Sequence, residues 1–442
     1  MTSPLHRRRF ISAAATTGAA AFLTRTTAAE KSVAKTPMAK ASAEWPLWDA
    51  SEETALLDAL HSGKWGRTSR GRHLLAFETA FARQMRAKHC IAVSSGTTAL
   101  LTALGALGIG PGDEVILSTY TFVATFNAIT NSYALPRFVD SDAATFQIDP
   151  TKIAAAITPQ TRLLLPVHIG GSPADMTAIN AVGKARSIPV IEDACQAPLA
   201  ELDGQPVGTI GLGGCFSFQA SKNMTAGEGG AVLTNDEAFA NLCFNFHTPG
   251  GGKPGPSLGR GANYRLTEFQ AALLTTQLVR LIEHAKRRDA NAAYLTEMLR
   301  KVPGITPARL VPGCTRSGWH LYMLRYDSQQ FAGLSRARFL EELSKAGISA
   351  SSGYTSLNRM RHVQALATNP HYLRLYGKET MTRWADVNQC PVNDKLCEEA
   401  VWFSQTKLLG TRAEMERVVE AAASIQKRAG DLQRNEKTAR GA

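Results

Sequence analysis

Short apolar runs alternate with longer stretches of helical period along most of this chain. Ser51-Glu-Glu-Thr-Ala-Leu-Leu-Asp-Ala-Leu opens a helix predicted over 51–64, with a capping residue and acids in its first turn. A second helical pattern covers 74–87. Runs rich in β-branched and aromatic residues then predict strands at 90–93, 114–117, 137–139, 163–167, 189–192, 214–218 and 231–234. Helical stretches fall between them: one ending at Leu107, then 121–132, 150–156 and 175–186. Strands and helices in alternation predict an α/β fold whose sheet has many parallel strands and two buried faces.

After Arg265 the period changes. Residues 266–302 carry apolar side chains at helical spacing with charges outside, predicting one or two long helices that leave the sheet. Beyond Pro303 the pattern is mixed: a strand at 321–326, a helix at 335–346, a loop-rich segment at 351–386 and a closing helix at 414–428. This predicts a smaller α+β domain. The boundaries are a large domain at 45–285, a small one at 286–430 and a disordered tail at 431–442.

The first residues differ from the rest. Arg7-Arg8-Arg9-Phe10-Ile11 precedes a small-residue apolar run and Thr27-Ala28-Ala29, the pattern of a twin-arginine signal peptide over 1–29. It predicts export to the periplasm, or a cytoplasmic protein if the leader does not function. Residues 30–44 read as a linker. The run after the arginines is too short to span a bilayer, and no other stretch is long and apolar enough. The chain of 442 residues carries a net charge of +12, of which the four arginines before residue 30 account for four. The remaining eight are modest, and no basic run interleaved with aromatics suggests a nucleic-acid partner. Seven scattered cysteines without a Cys-x-x-Cys argue against a disulfide framework or a metal site.

Lys222 is the residue whose neighbourhood invites chemistry. It lies between the apolar run holding Cys215, Phe216 and Phe218 and a turn with Gly227, Gly229 and Gly230. Two readings are open: a solvated hairpin lysine, or an amine against apolar surface. The second disfavours the charged form and leaves a nucleophile able to form a Schiff base with an aldehyde. Asp193 ends a buried strand, where α/β folds place ligands. It is either a capping acid or the partner of a protonated pyridine nitrogen, a pair worth roughly 5 kcal/mol before desolvation at about 3 Å and an effective dielectric near 20. Ser94-Ser95-Gly96-Thr97-Thr98 leads into a helix, as an ordinary cap or as an anion cradle. Phe122 follows a strand end, as core or as a platform for a planar ring.

Several segments together carry a resemblance: Gly112-Asp-Glu-Val-Ile, Thr121-Phe-Val-Ala-Thr, Pro166-Val-His-Ile-Gly-Gly, Glu192-Asp-Ala-Cys-Gln-Ala, Ser217-Phe-Gln-Ala-Ser-Lys, Gly227-Glu-Gly-Gly and Gly261-Ala-Asn-Tyr-Arg-Leu-Thr-Glu-Phe-Gln-Ala-Ala. In this order, from about Trp45 to Lys427, they resemble the motifs of the DegT/StrS family of pyridoxal-phosphate-dependent sugar and cyclitol aminotransferases. The resemblance implies fold type I, with a mostly parallel seven-stranded sheet in the large cofactor domain. It implies pyridoxal 5'-phosphate as cofactor and Lys222 as its Schiff-base lysine. Asp193 then partners the ring nitrogen, Gln196 the ring hydroxyl, and Gly96, Thr97 and Ser217 the phosphate, while Phe122 stacks on the ring. Asn263 reaches the phosphate of a neighbouring subunit, which implies a homodimer with shared sites.

The reaction so implied moves an amino group from glutamate or glutamine to a keto-sugar or keto-cyclitol. Some relatives carry histidine at the lysine position and dehydrate instead, and Lys222 favours transamination over dehydration or epimerisation. A non-catalytic cofactor-binding regulator is disfavoured by the intact Lys222, Asp193 and Gln196. His168-Ile169-Gly170 departs from the family, in which an aromatic often precedes the glycine; this predicts an altered wall of the substrate pocket. A dinucleotide-binding reading fails, since Gly105-Ala-Leu-Gly-Ile-Gly closes a helix and the glycines at 211–214 precede a strand.

Overall fold

The computed structural model describes residues 45–249 and 251–441. The predicted leader and linker lie outside the described residues. Helices α1 (Ala50–His61) and α2 (Arg72–Gln84) come before the sheet. Strands β1 (His89–Val93), β2 (Glu114–Ser118), β3 (Leu135–Val139), β4 (Thr161–Leu165) and β5 (Ile191–Asp193) follow. A small hairpin of β6 (Glu201–Leu202) and β7 (Gln205–Pro206) leads to β8 (Gly213–Ser217) and β9 (Gly230–Thr234). Between them and after β9 run α3 (Gly96–Ala106), α4 (Ala124–Asn131), α5 (Pro150–Ala156), α6 (Met176–Arg186) and α7 (Glu237–His247).

The main sheet forms in two parts, β1-β9-β8-β5 and β3-β2-β4. Parallel bridges Leu164–Val190 and Val167–Asp193 join them into seven strands. Among these, β9 alone pairs antiparallel, with β1 and β8. Both faces are buried because the apolar residues point both ways. Along β2, Val115 and Leu117 pack with α3 and α4, while Ile116 packs with α5 and α6. On β8, Phe216 turns toward α2, and Phe218 just beyond the strand does the same. Phe81 meets both edge-on, at 5.3 and 5.4 Å between centroids, and stacks on Phe77 at 5.6 Å. This leaves Ser217, between the two phenylalanines, facing the other way.

Helix α8 (Glu268–Leu299) is one continuous element of 32 residues. Its first half packs on the large sheet through Ala271, Leu274 and Leu278, and its second half carries Ala292, Leu295 and Leu299 into the second core. The predicted boundary at 285 therefore falls inside a shared helix. The smaller sheet is β10 (Ile305–Pro307), β12 (Leu321–Tyr326) and β13 (Ala400–Ser404), all antiparallel. Strand β11 (Cys314–Arg316) joins the β6–β7 hairpin instead. Helices α9 (Arg336–Lys345) and α14 (Arg412–Lys427) cover the smaller sheet.

Two expectations are corrected. The segment predicted to be loop-rich contains helices α10 (Arg361–Gln364), α11 (Pro370–Tyr376) and α12 (Lys378–Val387), followed by α13 (Pro391–Glu399). Val363, Leu366, Tyr372, Met381 and Trp384 pack into the core of the large domain, and Trp384 donates to the Pro136 carbonyl at 2.6 Å. The tail expected to be disordered is helix α15 (Ala429–Gly441). Leu432 is buried there, and Ser335 donates to the Glu436 carboxylate at 2.6 Å. Among the described residues, no helix is long and apolar enough to cross a membrane.

Phe81→Ala should empty the centre of the aromatic cluster behind β8 and lower stability by about 3–5 kcal/mol. Urea unfolding followed by circular dichroism checks this, as a lower midpoint at unchanged slope.

Candidate active site

Adjacent acids at the end of β5 point to opposite sides of the sheet, as the two-residue period of a strand requires. Glu192 is fully buried and accepts four hydrogen bonds: from His168 Nε2 at 2.8 Å, Gly208 N at 2.6 Å, and Ile210 N and Gly211 N at 2.8 Å each. His168 Nδ1 accepts from Ala174 N at 3.0 Å, which places the ring proton on Nε2, toward the carboxylate. His168 is itself fully buried, so it forms no wall of a pocket; it lies behind the site and fixes the turn after β4. Asp193 faces the other side. Its Oδ2 accepts from the Thr125 hydroxyl at 2.8 Å and its Oδ1 from Cys195 N at 3.2 Å.

The opening of α3 lies beside the end of β8. Ser95 caps the helix reciprocally with Thr98, each accepting from the other's backbone N–H, at 3.1 and 2.8 Å. Gly96 approaches Ser217 so closely that a Cβ on it would lie 2.6 Å from Ser217 Cβ and 2.9 Å from Cys195 Sγ. Any side chain at 96 would fill the space between them. The Thr97 hydroxyl has no partner among the described residues and stands at a helix N-terminus, where N–H groups and dipole favour an anion.

Lys222 sits in the loop from β8 to β9, and that loop is pinned at several points. Lys222 N donates to Gln219 O at 2.8 Å, Thr225 Oγ1 to Phe218 O at 3.0 Å, and Asn223 Nδ2 to Gly318 O at 2.6 Å. The Asn223 carbonyl oxygen is met by His320 Nδ1 at 3.1 Å. Burial pushes the His320 pKa well down, helped by the charges of Lys222 and Arg288, so its ring is neutral. The Lys222 side chain is half-buried. Desolvation lowers its pKa below the usual 10.5, against the attraction of Cys195 and Asp193. Among the described residues its amine has no ion-pair or hydrogen-bond partner.

The predicted residues thus come together at the carboxyl ends of β5 and β8, with two exceptions in detail. Phe122 precedes α4 three residues before Thr125; its ring is 55% exposed and touches no other aromatic ring among the described residues. Asn263 is exposed and meets none of the other site residues, although its neighbour Tyr264 accepts from Ser94 N at 2.8 Å. Gln196 is buried, accepting from Gly170 N at 2.8 Å and donating through Nε2 to Tyr354 Oη at 2.9 Å. Residues not singled out from sequence are Thr125, Cys195, Tyr354 and His320. Thr125 and Cys195 lay inside quoted motifs, whereas Tyr354 and His320 come from the distant C-terminal part without a local signal.

This arrangement joins a nucleophilic amine, a buried carboxylate and an anion cradle. Comparison with known proteins supplies the family. Residues 48–423 match the DegT/DnrJ/EryC1/StrS aminotransferase family. The chain is 36% identical over 403 residues to an L-glutamine:2-deoxy-scyllo-inosose aminotransferase of Micromonospora echinospora, covering 86% of this chain and 94% of that protein. It is 33% identical to a 3-amino-5-hydroxybenzoate synthase of Amycolatopsis mediterranei (strain S699), covering 87% and 97%. A crystal structure of 3-amino-5-hydroxybenzoic acid synthase superposes with a TM-score of 0.76 at 32% identity, covering 87% of this chain and 98% of that one. The chain belongs to the DegT/DnrJ/EryC1/StrS aminotransferase family, and it is an aminotransferase.

Proposed function

We propose that this enzyme uses pyridoxal 5'-phosphate to move an amino group from glutamine or glutamate to a keto-cyclitol or keto-sugar. The observation that carries the reading is the unpartnered, half-buried amine of Lys222 between the buried carboxylate of Asp193 and the Gly96–Ser217 cradle. Relatives named as glutamine:scyllo-inosose aminotransferases support glutamine as donor and a cyclic ketone as acceptor.

The residues fit the cofactor. Space that a Cβ at 96 would fill, the free Thr97 hydroxyl and Ser217 suit its phosphate. Asp193, with Thr125 and Cys195 N fixing its orientation, suits a protonated ring nitrogen, and the exposed Phe122 ring suits a stacking face. When bound, the cofactor supplies the aldehyde that carries the amino group and the ring that accepts the electron pair of the broken C–H bond. Lys222 would hold that aldehyde through Nζ at rest. Once freed from the aldehyde, the same Nζ would serve as the base for the proton on the donor's α-carbon and then as the acid that returns it to the former aldehyde carbon, on the other side of the shared nitrogen. Desolvation favours the neutral form of Nζ that the first of these tasks needs. The Asp193 carboxylate would keep the ring nitrogen protonated by charge.

The reading extends to a dimer and to export. Exposed Asn263, without a hydrogen bond to the other site residues of its own subunit, supports a role in a neighbouring subunit's phosphate site. The arginine-rich leader supports export of the folded enzyme, and seven unpaired cysteines suit folding before export.

Incubated with glutamine, cofactor and a panel of keto-cyclitols and nucleotide keto-sugars, the enzyme should yield an amine product by mass spectrometry. Lys222→Ala should yield none and lose the visible cofactor band; turnover by that variant contradicts the assignment. The rate of cofactor loading by the apoenzyme should rise with pH and level off below 10.5, because a lowered pKa leaves the reactive neutral amine in place at lower pH. Stopped-flow absorbance reads this out. Mixing Lys222→Ala and Asn263→Ala subunits should restore up to half of the wild-type activity per hybrid dimer. In a shared site one of the two sites is then intact; no restoration means the sites are not shared.

A further inference from the structure

We propose that Tyr354 is a positioning residue that acts on the cofactor through Gln196, tying the ring's hydroxyl side to the segment that packs on β13. The inference rests on the reading that this site holds pyridoxal 5'-phosphate.

The orientation of the Gln196 amide is forced. Gly170 N can only donate, so the amide oxygen faces it at 2.8 Å, and the NH2 group faces Tyr354 Oη at 2.9 Å. One N–H is thereby committed to the tyrosine oxygen. The other is free to meet an oxygen on a bound ring. If the tyrosine oxygen is removed, one anchor of the amide remains and its NH2 end loses its fixed direction.

Tyr354 is held firmly enough for this task. Its ring contacts Trp402 at 5.0 Å and Tyr120 at 5.5 Å between centroids, the latter edge-on. The segment is tied to β13 by Ser351 and Trp402, which exchange backbone hydrogen bonds at 2.9 and 3.1 Å. Gly353 has φ +82°, and a Cβ there would lie 2.4 Å from Trp402 Nε1 and 2.9 Å from Tyr120 Oη. Only glycine permits this approach. A group on the segment bridged to β13 therefore sets the direction of an amide in the turn after β5.

Nothing else in the site duplicates this link. Asp193 and the Gly96–Ser217 cradle are set by strands and helices of the large sheet alone. Gln196 is the residue proposed to face the cofactor whose partners are Gly170, in the turn after β4, and Tyr354, in the segment bridged to β13. The coupling predicts that a change confined to Tyr354 is felt by the cofactor but not through the phosphate cradle.

Tyr354→Phe keeps both ring contacts and deletes only the oxygen. In the purified full chain loaded with pyridoxal 5'-phosphate, it should weaken cofactor binding about tenfold, the equivalent of about 1.4 kcal/mol. It should also move the pH midpoint of the visible cofactor band by at least about half a unit, as expected for loss of one net hydrogen bond. In a Gln196→Ala background the same substitution should change neither quantity further, since its effect passes through the amide. An unchanged midpoint and affinity in Tyr354→Phe overturns the proposal. So does an effect that persists in the Gln196→Ala background, which would mean direct contact with the ligand. A wild-type enzyme that forms no visible band sensitive to Lys222→Ala refutes the cofactor reading instead, and the two failures are thereby distinct.

Discussion

A carboxylate with no access to water holds the site in place. Removing an ionised group from solvent costs several kcal/mol unless its lone pairs are filled, and Glu192 has them filled by one imidazole and three backbone N–H groups. Those donors belong to the turn after β4 and to the loop before β8. A single side chain therefore fixes the spacing between the β4 turn, the end of β5 and the entry to β8. Asp193, Gly170 with Gln196, and the strand leading to Ser217 and Lys222 all take their positions from it. Removing one partner of such a buried charge costs about 3–5 kcal/mol, so the network holds as a whole or not at all.

The neighbouring acid has the opposite fate through register alone. A one-residue slip of β5 would turn Glu192 to the site side of the sheet and Asp193 away from it, and leave either Ile191 or Ala194 at one of their two places. The parallel pairs of β5 with β8, Ile191–Gly213 through Asp193–Cys215, exclude this. The same alternation on β8 sends Phe216 to the α2 cluster and Ser217 to the cradle. Aromatic packing on one side of the sheet thus sets the position of a polar group on the other.

How far this was legible follows from where each signal resides. The seven strands were visible because each is a short β-branched or aromatic run bounded by turns, and the family motifs lie at their ends. Lys222, Asp193, Gln196, Gly96, Thr97 and Ser217 could be named as candidates for that reason. The helices between residues 361 and 387 were not. They span 4, 7 and 10 residues, too few turns to display an apolar face among many charges. Helix α15 places Leu432 in the second core but is otherwise polar, so its composition resembles a free tail. The hydrogen bond from Gln196 to Tyr354 joins residues 158 positions apart, and no periodicity encodes such a pair. The segment His168-Ile169-Gly170, associated in sequence with a wall of the substrate pocket, keeps the His168 ring buried behind the site, because neighbours in sequence at a turn need not face the same way.

The direction of the Lys222 shift also bears on what Asp193 does. A carboxylate paired with a lysine raises the lysine pKa and makes the ammonium persist. Here desolvation outweighs the attraction of Asp193 and Cys195, and the net shift is downward. Asp193 is therefore not the lysine's counter-ion. Its two oxygens are already engaged by Thr125 and by Cys195 N, and no ion pair to Lys222 forms among the described residues. A site that brings an amine and a carboxylate into one pocket without letting them neutralise each other keeps both free for a third party. In the reading proposed above, a ring with a carbon open to attack at one end and a nitrogen to be protonated at the other would meet both needs.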